Sequence, residues 1–292
     1  MSKTIQQLLK SSNKIDPLDA ELLLAHTLGK PREFVLAHLD ETIYNIHIIK
    51  YKILIKKRVK GIPLAYLTGH KEFFGLDFFV NKNVLIPRPD TEVLVEEAVH
   101  EIKRLSAQDG SASGVKDYEI TLVDIGTGSG CIPISILKTS KHQNIKTFAI
   151  DISKQALRVA KKNAKKHGVE IKFLHGNLLS PFINLIPKPP KTYNLVITAN
   201  LPYLTNKQFA DEPSIHHEPK LALIAKDQGL ALYEELLEQL ANLSTYKLAC
   251  FFEIDPDQSK PVTKLIKKHL PEAKVEIKKD LAGLDRVVII KN

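Results

Sequence analysis

Apolar residues in the first 60 positions recur at the spacing of amphipathic helices. A helix is predicted to begin after Asp16, which can cap it, with Pro17 at its first position and Gly29 beyond its end. Pro31 opens a second short helix, and the isoleucines within 42–59 recur near a period of 3.6 residues. The pattern therefore predicts a small all-helical domain at the start of the chain.

Aromatic residues on both sides of Gly75 change this pattern and predict a β-hairpin near 71–83. A linker rich in proline follows at 85–91. We therefore predict a helical N-terminal domain over 1–80 and a second domain over 81–292.

Apolar strands alternate with helices after the linker. Strands are predicted at 120–125, 145–150, 170–174, 193–198, 248–254 and 286–290, helices at 91–99, at 129–137 and after Ser153, and a loop at 108–114. Near-continuous apolar strands in β-α-β order are typical of a parallel sheet with helices on both faces. The predicted fold class of the second domain is α/β.

The composition limits the function classes. With 292 residues, 43% of them hydrophobic and 26% charged, the chain has enough apolar material for a core and is not a disordered protein. Its apolar runs are shorter than the ~18 residues that cross a bilayer, and its start lacks the apolar core of a secretory signal. Cys131 and Cys250 have neither disulfide-framework nor metal-ligand spacing. We expect a reduced cytoplasmic protein with no membrane association and no metal.

The net charge of +9 is concentrated in one segment. Residues 141–192 contain eleven basic and two acidic residues, so the rest of the chain is neutral overall. Such a segment could attract RNA or another polyanion. The favoured interpretation is that the lysine-rich stretch 161–166 is the solvated face of a helix whose other face carries Ala156, Leu157, Ala160 and Ala164.

The glycine-rich stretch 123–130 lies between the first strand of the α/β domain and its helix. Glycines there let the backbone turn tightly and approach a ligand, and this edge of a parallel sheet is where nucleotides bind. A dinucleotide fingerprint would place glycine at Cys131, and the lysine of a phosphate loop is missing. The alternating glycines instead resemble the first motif of class I S-adenosylmethionine methyltransferases. The resemblance predicts a cofactor turn made of Gly126, Thr127, Gly128, Ser129 and Gly130.

Two further strand ends carry candidate cofactor residues. Asp151 ends the second strand, where its two carboxylate oxygens could accept hydrogen bonds from ribose hydroxyls. Asn177 follows the third strand, where such enzymes place an acid near the adenine amino group, and Leu178 could pack on the purine. The alternative for Asp151 is a carboxylate at a helix N-terminus.

The tetrapeptide AsnLeuProTyr at 200–203 directly follows the fourth strand. It resembles the AsnProProTyr motif of methyltransferases that act on planar nitrogens, either adenine N6 or the side-chain amide of glutamine. The Asn200 side-chain oxygen and the Leu201 carbonyl could each accept one N–H hydrogen bond and hold such a nitrogen in line with a methyl donor. Pro202 keeps the preceding residue extended, and Tyr203 would pack on the planar group. Asn200 is also a predicted cofactor contact.

The flanking segments resemble the release factor glutamine methyltransferases, the PrmC/HemK family. The segments that carry the resemblance are 63–80, 84–98, 218–223, 229–236, 252–254 and 280–288. The chain departs from the family pattern at Leu201, Asn177, Asp90 and Asp255-Pro256. The resemblance implies a Rossmann-like sheet and methylation of the glutamine N5 in the GlyGlyGln motif of class I peptide chain release factors. S-adenosyl-L-methionine would be the cofactor, S-adenosyl-L-homocysteine the product, and the N-terminal domain would help hold the protein substrate.

Two alternatives stay open at this point. One is an adenine-N6 methyltransferase acting on RNA or DNA, favoured by the basic segment and by Leu201, because AsnLeuProTyr is also the form of the motif in ribosomal RNA adenine dimethyltransferases. The other is a binding module that kept the fold without turnover. We expect a monomer with no obligatory nucleic acid and no histidine acting as general base; the preferred release factor and the role of the basic segment are left open.

Overall fold

The computed structural model describes residues 2–108, 119–140, 145–185, 193–243 and 246–292. It divides into two compact units, Met1–His70 and Lys71–Asn292. Apart from Gln108, the loop predicted at 108–114 lies outside the described residues, as do parts of the basic segment. Within these ranges, no helix combines the length and apolar character needed to cross a membrane.

The first unit consists of short helices and one small sheet. Its elements are β1 Lys3–Thr4, α1 Ile5–Lys10, α2 Pro17–Leu28, α3 Arg32–Ala37, β2 Thr42–Ile43, α4 Asn45–Val59 and α5 Leu64–Thr68. The predicted start and end of α2 are confirmed, because Asp16 Oδ1 accepts from Leu18 N at 2.8 Å and Gly29 has a φ of 64°. The helix predicted over 42–59 begins three residues later, because Thr42–Ile43 pairs with Lys3–Thr4.

The predicted hairpin is present, and its position explains where the chain divides. β3 His70–Phe73 and β4 Leu76–Phe79 form a two-stranded sheet, with Phe74 and Gly75 at positive φ in the turn between them. The division after His70 lies ten residues before the predicted boundary at residue 80. The reason is that Phe73 and Phe78 are buried in the core of the second unit.

The second unit is built around a seven-stranded sheet. Its remaining elements are α6 Glu92–Gln108, β5 Glu119–Ile125, α7 Cys131–Ser140, β6 Ile145–Asp151, α8 Lys154–His167, β7 Lys172–His175, α9 Ser180–Ile183, β8 Tyr193–Ala199, α10 Asn206–Asp211, α11 Ala231–Ala241, β9 Lys247–Glu253, α12 Ser259–His269, β10 Lys274–Lys279 and β11 Asp285–Lys291. The strand order is β10-β11-β9-β8-β5-β6-β7. The neighbouring pairs from β9 to β7 are parallel.

The end of the chain corrects the prediction of a parallel sheet. β11 runs antiparallel to both β9 and β10. The hydrophobic pattern does not predict β10, whose residues are exposed or only partly buried. Such an edge strand lacks the continuous apolar run that identified the central strands.

Side chains of β5 alternate between two cores, as expected for a sheet covered on both faces. Val123 and Ile125 belong to one core, which also contains the inner faces of α11 and α12. Ile120 and Leu122 belong to the other, with α6 and α7. The predicted α/β class is confirmed.

The lysine-rich helix α8 has the predicted two faces, with one correction. Ala156, Leu157, Ala160 and Ala164 are buried, and the lysines at 161, 162, 165 and 166 are exposed. Asn163, which the prediction placed on the solvated face, is fully buried. Its Oδ1 accepts from Phe79 N at 2.8 Å, and its Nδ2 donates to Phe79 O at 2.9 Å and to Ser129 O at 2.8 Å. This side chain therefore ties the hairpin to the turn that follows β5.

Candidate active site

The glycine turn between β5 and α7 is anchored to the neighbouring strand β6. The N–H groups of Gly126 and Thr127 both donate to Ile150 O, at 2.9 and 3.0 Å. Gly126 and Gly128 have φ values of 70° and 53°, a region that other residues rarely adopt. A Cβ on Gly126 would lie 3.2 Å from Leu201 Cδ2. Glycine at 126 therefore lets the turn approach the tetrapeptide 200–203 closely.

The five residues of this turn do not share one role. Gly126, Thr127, Gly128 and Ser129 line a cavity at the carboxyl edge of the sheet. Gly130 is not among the residues that line it, although the sequence analysis grouped Gly130 with the cofactor contacts. A Cβ on Gly130 would lie 3.2 Å from both Ala160 Cβ and Ile134 Cδ1, so this glycine allows α7 and α8 to pack closely.

Asp151 is held beside the glycine turn. Its Oδ2 accepts from Gly128 N at 2.9 Å, and its Oδ1 accepts from Ser153 N at 2.8 Å. Burial raises the pKa of this carboxyl, and the two backbone N–H groups act in the opposite direction. Each oxygen keeps a further lone pair, so the carboxylate can still accept hydrogen bonds from a ligand in the cavity.

Asn177 and Leu178 line the same cavity from the end of β7. Leu178 is 5% exposed and has a φ of 46°, which is unusual for a leucine. The Asn177 Nδ2 donates to Glu235 Oε1 at 2.5 Å. This bond turns the amide oxygen of Asn177 away from Glu235, so that it is the atom available as an acceptor.

The Asn200 side chain is oriented by two residues from other elements. Its Nδ2 donates to Glu253 Oε2 at 2.9 Å and to Thr91 Oγ1 at 3.2 Å. Both hydrogen bonds use the nitrogen, and among the described residues no group donates to Asn200 Oδ1. The amide therefore offers a free acceptor, which is the group that the sequence analysis required.

The rest of the tetrapeptide is fixed through its backbone. Leu201 is buried, and its N–H donates to the Tyr233 hydroxyl at 3.3 Å. The Tyr233 hydroxyl in turn donates to Glu253 O. Gln258 Nε2 donates to Tyr203 O at 3.2 Å. A side-chain scaffold from α11 and the end of β9 thus holds the loop in place.

Two cavities meet at the tetrapeptide. The first is lined by the glycine turn, Asp151 and Leu178. The second is lined by Tyr203, Glu253 and residues of the segment after β8. Asn200 and Leu201 line both. The arrangement provides one chamber for a cofactor, one for a substrate group, and a polar side chain at the junction.

Sequence reasoning missed two buried carboxyl groups at this edge. Glu253 at the end of β9 and Asp124 in β5 are 1% and 0% exposed. Burial raises the pKa of each to about 7. Thr198 Oγ1 donates to Asp124 Oδ1 at 2.7 Å. An acid at the carboxyl end of a predicted buried strand, 120–125 or 248–254, is the available signal for both.

A third buried carboxylate orders the linker before α6. Glu218 Oε2 accepts from Ile86 N at 2.9 Å, and its other oxygen pairs with Arg88. Arg88 lines both cavities. The linker and the segment after β8 are therefore joined at the site.

Comparison with known sequences decides the family. The model of the PrmC N-terminal domain matches residues 1–69, and that of the methyltransferase small domain matches residues 113–215. A release factor glutamine methyltransferase of Bacillus anthracis is 36% identical over 94% of this chain and 93% of its own length. Another, from Bacillus subtilis, is 35% identical over 92% and 89%. The chain belongs to the release factor glutamine methyltransferase family.

Solved structures support the fold of this family member. The catalytic domain of human METTL16, in crystals with MAT2A 3′UTR hairpins, superposes with TM-scores of 0.53 and 0.55 at 16% and 15% identity. These alignments cover 86% and 85% of this chain, and 84% and 80% of the other. At that identity the likeness concerns the Rossmann-like fold alone.

The cavity at the glycine turn fits the cofactor that such a family member requires. The turn has no side chain at Gly126 and Gly128, where a ligand would approach the backbone. Asp151 offers an acceptor-only group for hydroxyls, and Ile152 and Leu178 offer apolar surface for a purine. The donor and acceptor set therefore matches an adenosyl group.

Proposed function

We propose that this enzyme transfers a methyl group from S-adenosyl-L-methionine to the side-chain nitrogen (N5) of the glutamine in the GlyGlyGln motif of class I peptide chain release factors. The observation that carries the proposal is the orientation of Asn200. Its nitrogen is bound to Thr91 and Glu253, so its oxygen is left as an acceptor on a residue that lines both cavities.

The cofactor side of the reaction is assigned to the first cavity. When bound, S-adenosylmethionine supplies a methyl carbon on a positively charged sulfur, and transfer forms the N–C bond as the S–C bond breaks, leaving S-adenosylhomocysteine. Asp151 binds ribose hydroxyls beside the glycine turn, Leu178 packs on the purine, and Asn177 accepts through its side-chain oxygen. Asn200 borders this cavity as well as the substrate cavity.

The substrate side depends on holding a poor nucleophile. An amide nitrogen has a delocalised lone pair, so positioning contributes most of the catalysis. Asn200 Oδ1 and the Leu201 carbonyl each accept one N–H of the glutamine amide. Pro202 and Tyr203 shape the chamber in which the carboxamide lies flat.

No histidine is assigned to proton removal. His216 and His217 are exposed, and the His216 ring contacts Phe209 O through Nε2 at 2.8 Å. The proton that leaves the nitrogen after methyl transfer passes to water.

The partner follows from the same assignment. A class I release factor is a protein substrate, and the N-terminal unit (1–70) helps to hold it, while the sheet unit carries the chemistry. We assign a monomer acting in the cytoplasm with no obligatory nucleic acid. The adenine alternative is not favoured, because the relatives named above are release factor glutamine methyltransferases.

The test is transfer of a labelled methyl group to a purified class I release factor and to a variant with GlyGlyAla in place of GlyGlyGln. We expect label in the first and background in the second. Equal labelling of both would contradict the glutamine assignment. A parallel reaction with ribosomal RNA measures the adenine alternative, for which label in RNA would be decisive.

A further inference from the structure

Glu253 is a buried carboxylate beside the proposed acceptor of the substrate amide. It ends β9 and is 1% exposed. Across the described ranges, neither lysine nor arginine forms an ion pair with it; Arg286 pairs with Asp280 and Asp90 instead. A buried carboxylate without a paired cation is costly, so its retention at this position calls for a function.

Polar side chains from two segments, the linker before α6 and the tetrapeptide 200–203, surround this carboxylate. Asn200 Nδ2 donates to Oε2 at 2.9 Å, and interactions with the Thr91 and Tyr203 side chains act to lower the pKa of Glu253. Thr91 Oγ1 in turn accepts from Asn200 Nδ2 at 3.2 Å. Asn200 Nδ2 is therefore the donor in both hydrogen bonds, and Glu253 is the acceptor that can carry a charge.

We propose that Glu253 is a positioning residue for methyl transfer, which fixes the Asn200 amide with its oxygen toward the substrate and strengthens that oxygen as an acceptor. The proposal rests on the function assigned above, because it concerns the same reaction. Asn and Gln amides can rotate by 180° with little change in shape, so the choice between oxygen and nitrogen must come from a neighbour. An ionised carboxylate accepts only, and it binds the nitrogen.

The effect on the substrate is electrostatic. A carboxylate that accepts an N–H of Asn200 polarises its amide and places more negative charge on Oδ1. Oδ1 then accepts more strongly from the glutamine N–H, and this favours the positive charge that develops on the glutamine nitrogen as its lone pair forms the new N–C bond. Glu253 takes no proton in this step and touches no reacting atom.

Protonation of Glu253 would reverse the arrangement. A neutral carboxyl can donate its O–H to Asn200 Oδ1, so the amide would rotate and present Nδ2 to the substrate. Burial raises the pKa of Glu253 to about 7. The surrounding groups whose charges act on it or respond to it are Asp90, Arg286, Tyr203, Tyr233 and Cys131. The turnover rate should therefore fall as the pH drops through 7.

The experiment measures kcat for release factor methylation between pH 5.5 and 9 for the wild-type protein and Glu253→Gln. The wild-type rate should fall about tenfold for each pH unit below the inflection near 7. Glu253→Gln should lower kcat at pH 8 about 10- to 100-fold, the value of a hydrogen bond to a charged group. Its profile should lack the inflection, and cofactor affinity should change less than threefold.

Asp124→Asn is the matched control, because Asp124 is the other buried carboxyl whose pKa is raised to about 7. If Glu253 causes the inflection, it persists in Asp124→Asn. An inflection that persists in Glu253→Gln and disappears in Asp124→Asn would overturn the proposal. So would a Glu253→Gln kcat within twofold of wild type.

Thr91→Val provides a second test that keeps the carboxylate. It removes one hydroxyl from the network and should lower kcat about three- to tenfold with the inflection retained. An unchanged kcat would contradict a contribution of the Thr91 hydroxyl to the orientation of the Asn200 amide. Circular dichroism and cofactor titration establish that each variant is folded. If the wild-type protein does not methylate the release factor, the proposed function is wrong. If the wild-type protein is active and Glu253→Gln has the same kcat and pH profile, only this inference is wrong.

Discussion

At the scale of single residues, the proposed function depends on the orientation of one side-chain amide. Asn200 was identified from its place after a strand, but its orientation is set by Thr91 and Glu253, 109 and 53 residues away in the sequence. The proposed clamp therefore has a local part, the tetrapeptide, and a remote part, the acceptors that hold its first side chain.

Replacing Asn200 by alanine tests the local part. Asn200→Ala should lower kcat for release factor methylation at least 100-fold, because the carboxamide loses an acceptor made for it in the transition state. Cofactor affinity, measured by calorimetry, should weaken less than tenfold. Asn242→Ala is the matched control, since Asn242 is exposed and its side chain donates to Glu238 O at 3.2 Å, at the end of its own helix; it should behave as wild type. A near-normal rate in Asn200→Ala would refute the two-acceptor clamp.

The sequence could identify Asp151 and Asn200 because each directly follows an apolar strand, and strand ends of a parallel sheet meet at one edge. It could not identify the partner of Asn200, because that requires knowing that β9 lies beside β8. Gly130 shows the opposite difficulty. Its place in the glycine pattern predicts a ligand contact, whereas in space it faces Ala160 and Ile134.

At the scale of elements, the segment 227–229 lies directly against the backbone of the tetrapeptide 200–203. Asp227 and Gln228 have positive φ values of 51° and 55°, and Gly229 one of 86°. Gln258 Nε2 donates to both Gln228 O and Tyr203 O. A Cβ on Gly229 would lie 1.9 Å from Tyr203 O, so this backbone approach is possible only for glycine.

Gly229→Ala should therefore damage both stability and activity. We expect a loss of about 3 kcal/mol in the free energy of unfolding and a kcat at least tenfold lower, because Tyr203 must move. Gly283→Ala is the control: Gly283 has a φ of 80° but nothing within 4 Å of its Cβ position. It should cost about 1 kcal/mol and leave kcat unchanged. Equal effects of the two substitutions would mean that backbone strain alone, and not contact with the loop, is responsible.

Asn163 links the hairpin to the glycine turn and supplies a second prediction at this scale. Asn163→Ala removes the partners of Phe79 N, Phe79 O and Ser129 O, and should lower the free energy of unfolding by about 2–4 kcal/mol. Urea titration measures the change. Lys165→Ala, on the exposed face of the same helix, should stay within about 0.5 kcal/mol of wild type. A comparably small effect at Asn163 would contradict the bridging role.

The elements themselves were predictable to different degrees. The central strands β5, β6, β8 and β9 have continuous apolar runs and were predicted within about two residues at each end. β10 was missed because a strand at the sheet edge needs no apolar run. The sequence pattern places Asn163 on the exposed face of α8 because its neighbours are lysines. A polar side chain can nevertheless be buried when backbone groups form hydrogen bonds with it.

At the scale of the whole molecule, the site reduces the stability of the protein. Glu253 has a pKa of about 7 in the folded state and 4.5 as its ordinary value. Because the folded state favours the protonated form, the free energy of unfolding falls as the pH rises from 4.5 to 7, and the loss is complete above 7. Glu253→Gln should therefore be more stable than wild type by about 1–3 kcal/mol at pH 8 and equal to it near pH 4.5.

Chemical unfolding of both proteins at pH 5 and pH 8 measures this difference. Other titrating groups contribute equally to the free energy of unfolding of both proteins, so their contribution cancels in the difference. This includes Asp124, which titrates in the same pH range. The assigned cost of the buried charge would be contradicted if the stability of Glu253→Gln minus that of wild type were smaller at pH 8 than at pH 5.

The leucine in the tetrapeptide determines how the loop is attached to α11. Its N–H donates to the Tyr233 hydroxyl, and a proline, the residue of the AsnProProTyr pattern, has no N–H to offer. Restoring the proline with Leu201→Pro would therefore remove this attachment, and the buried Tyr233 hydroxyl would keep its bond to Glu253 O but lose its donor.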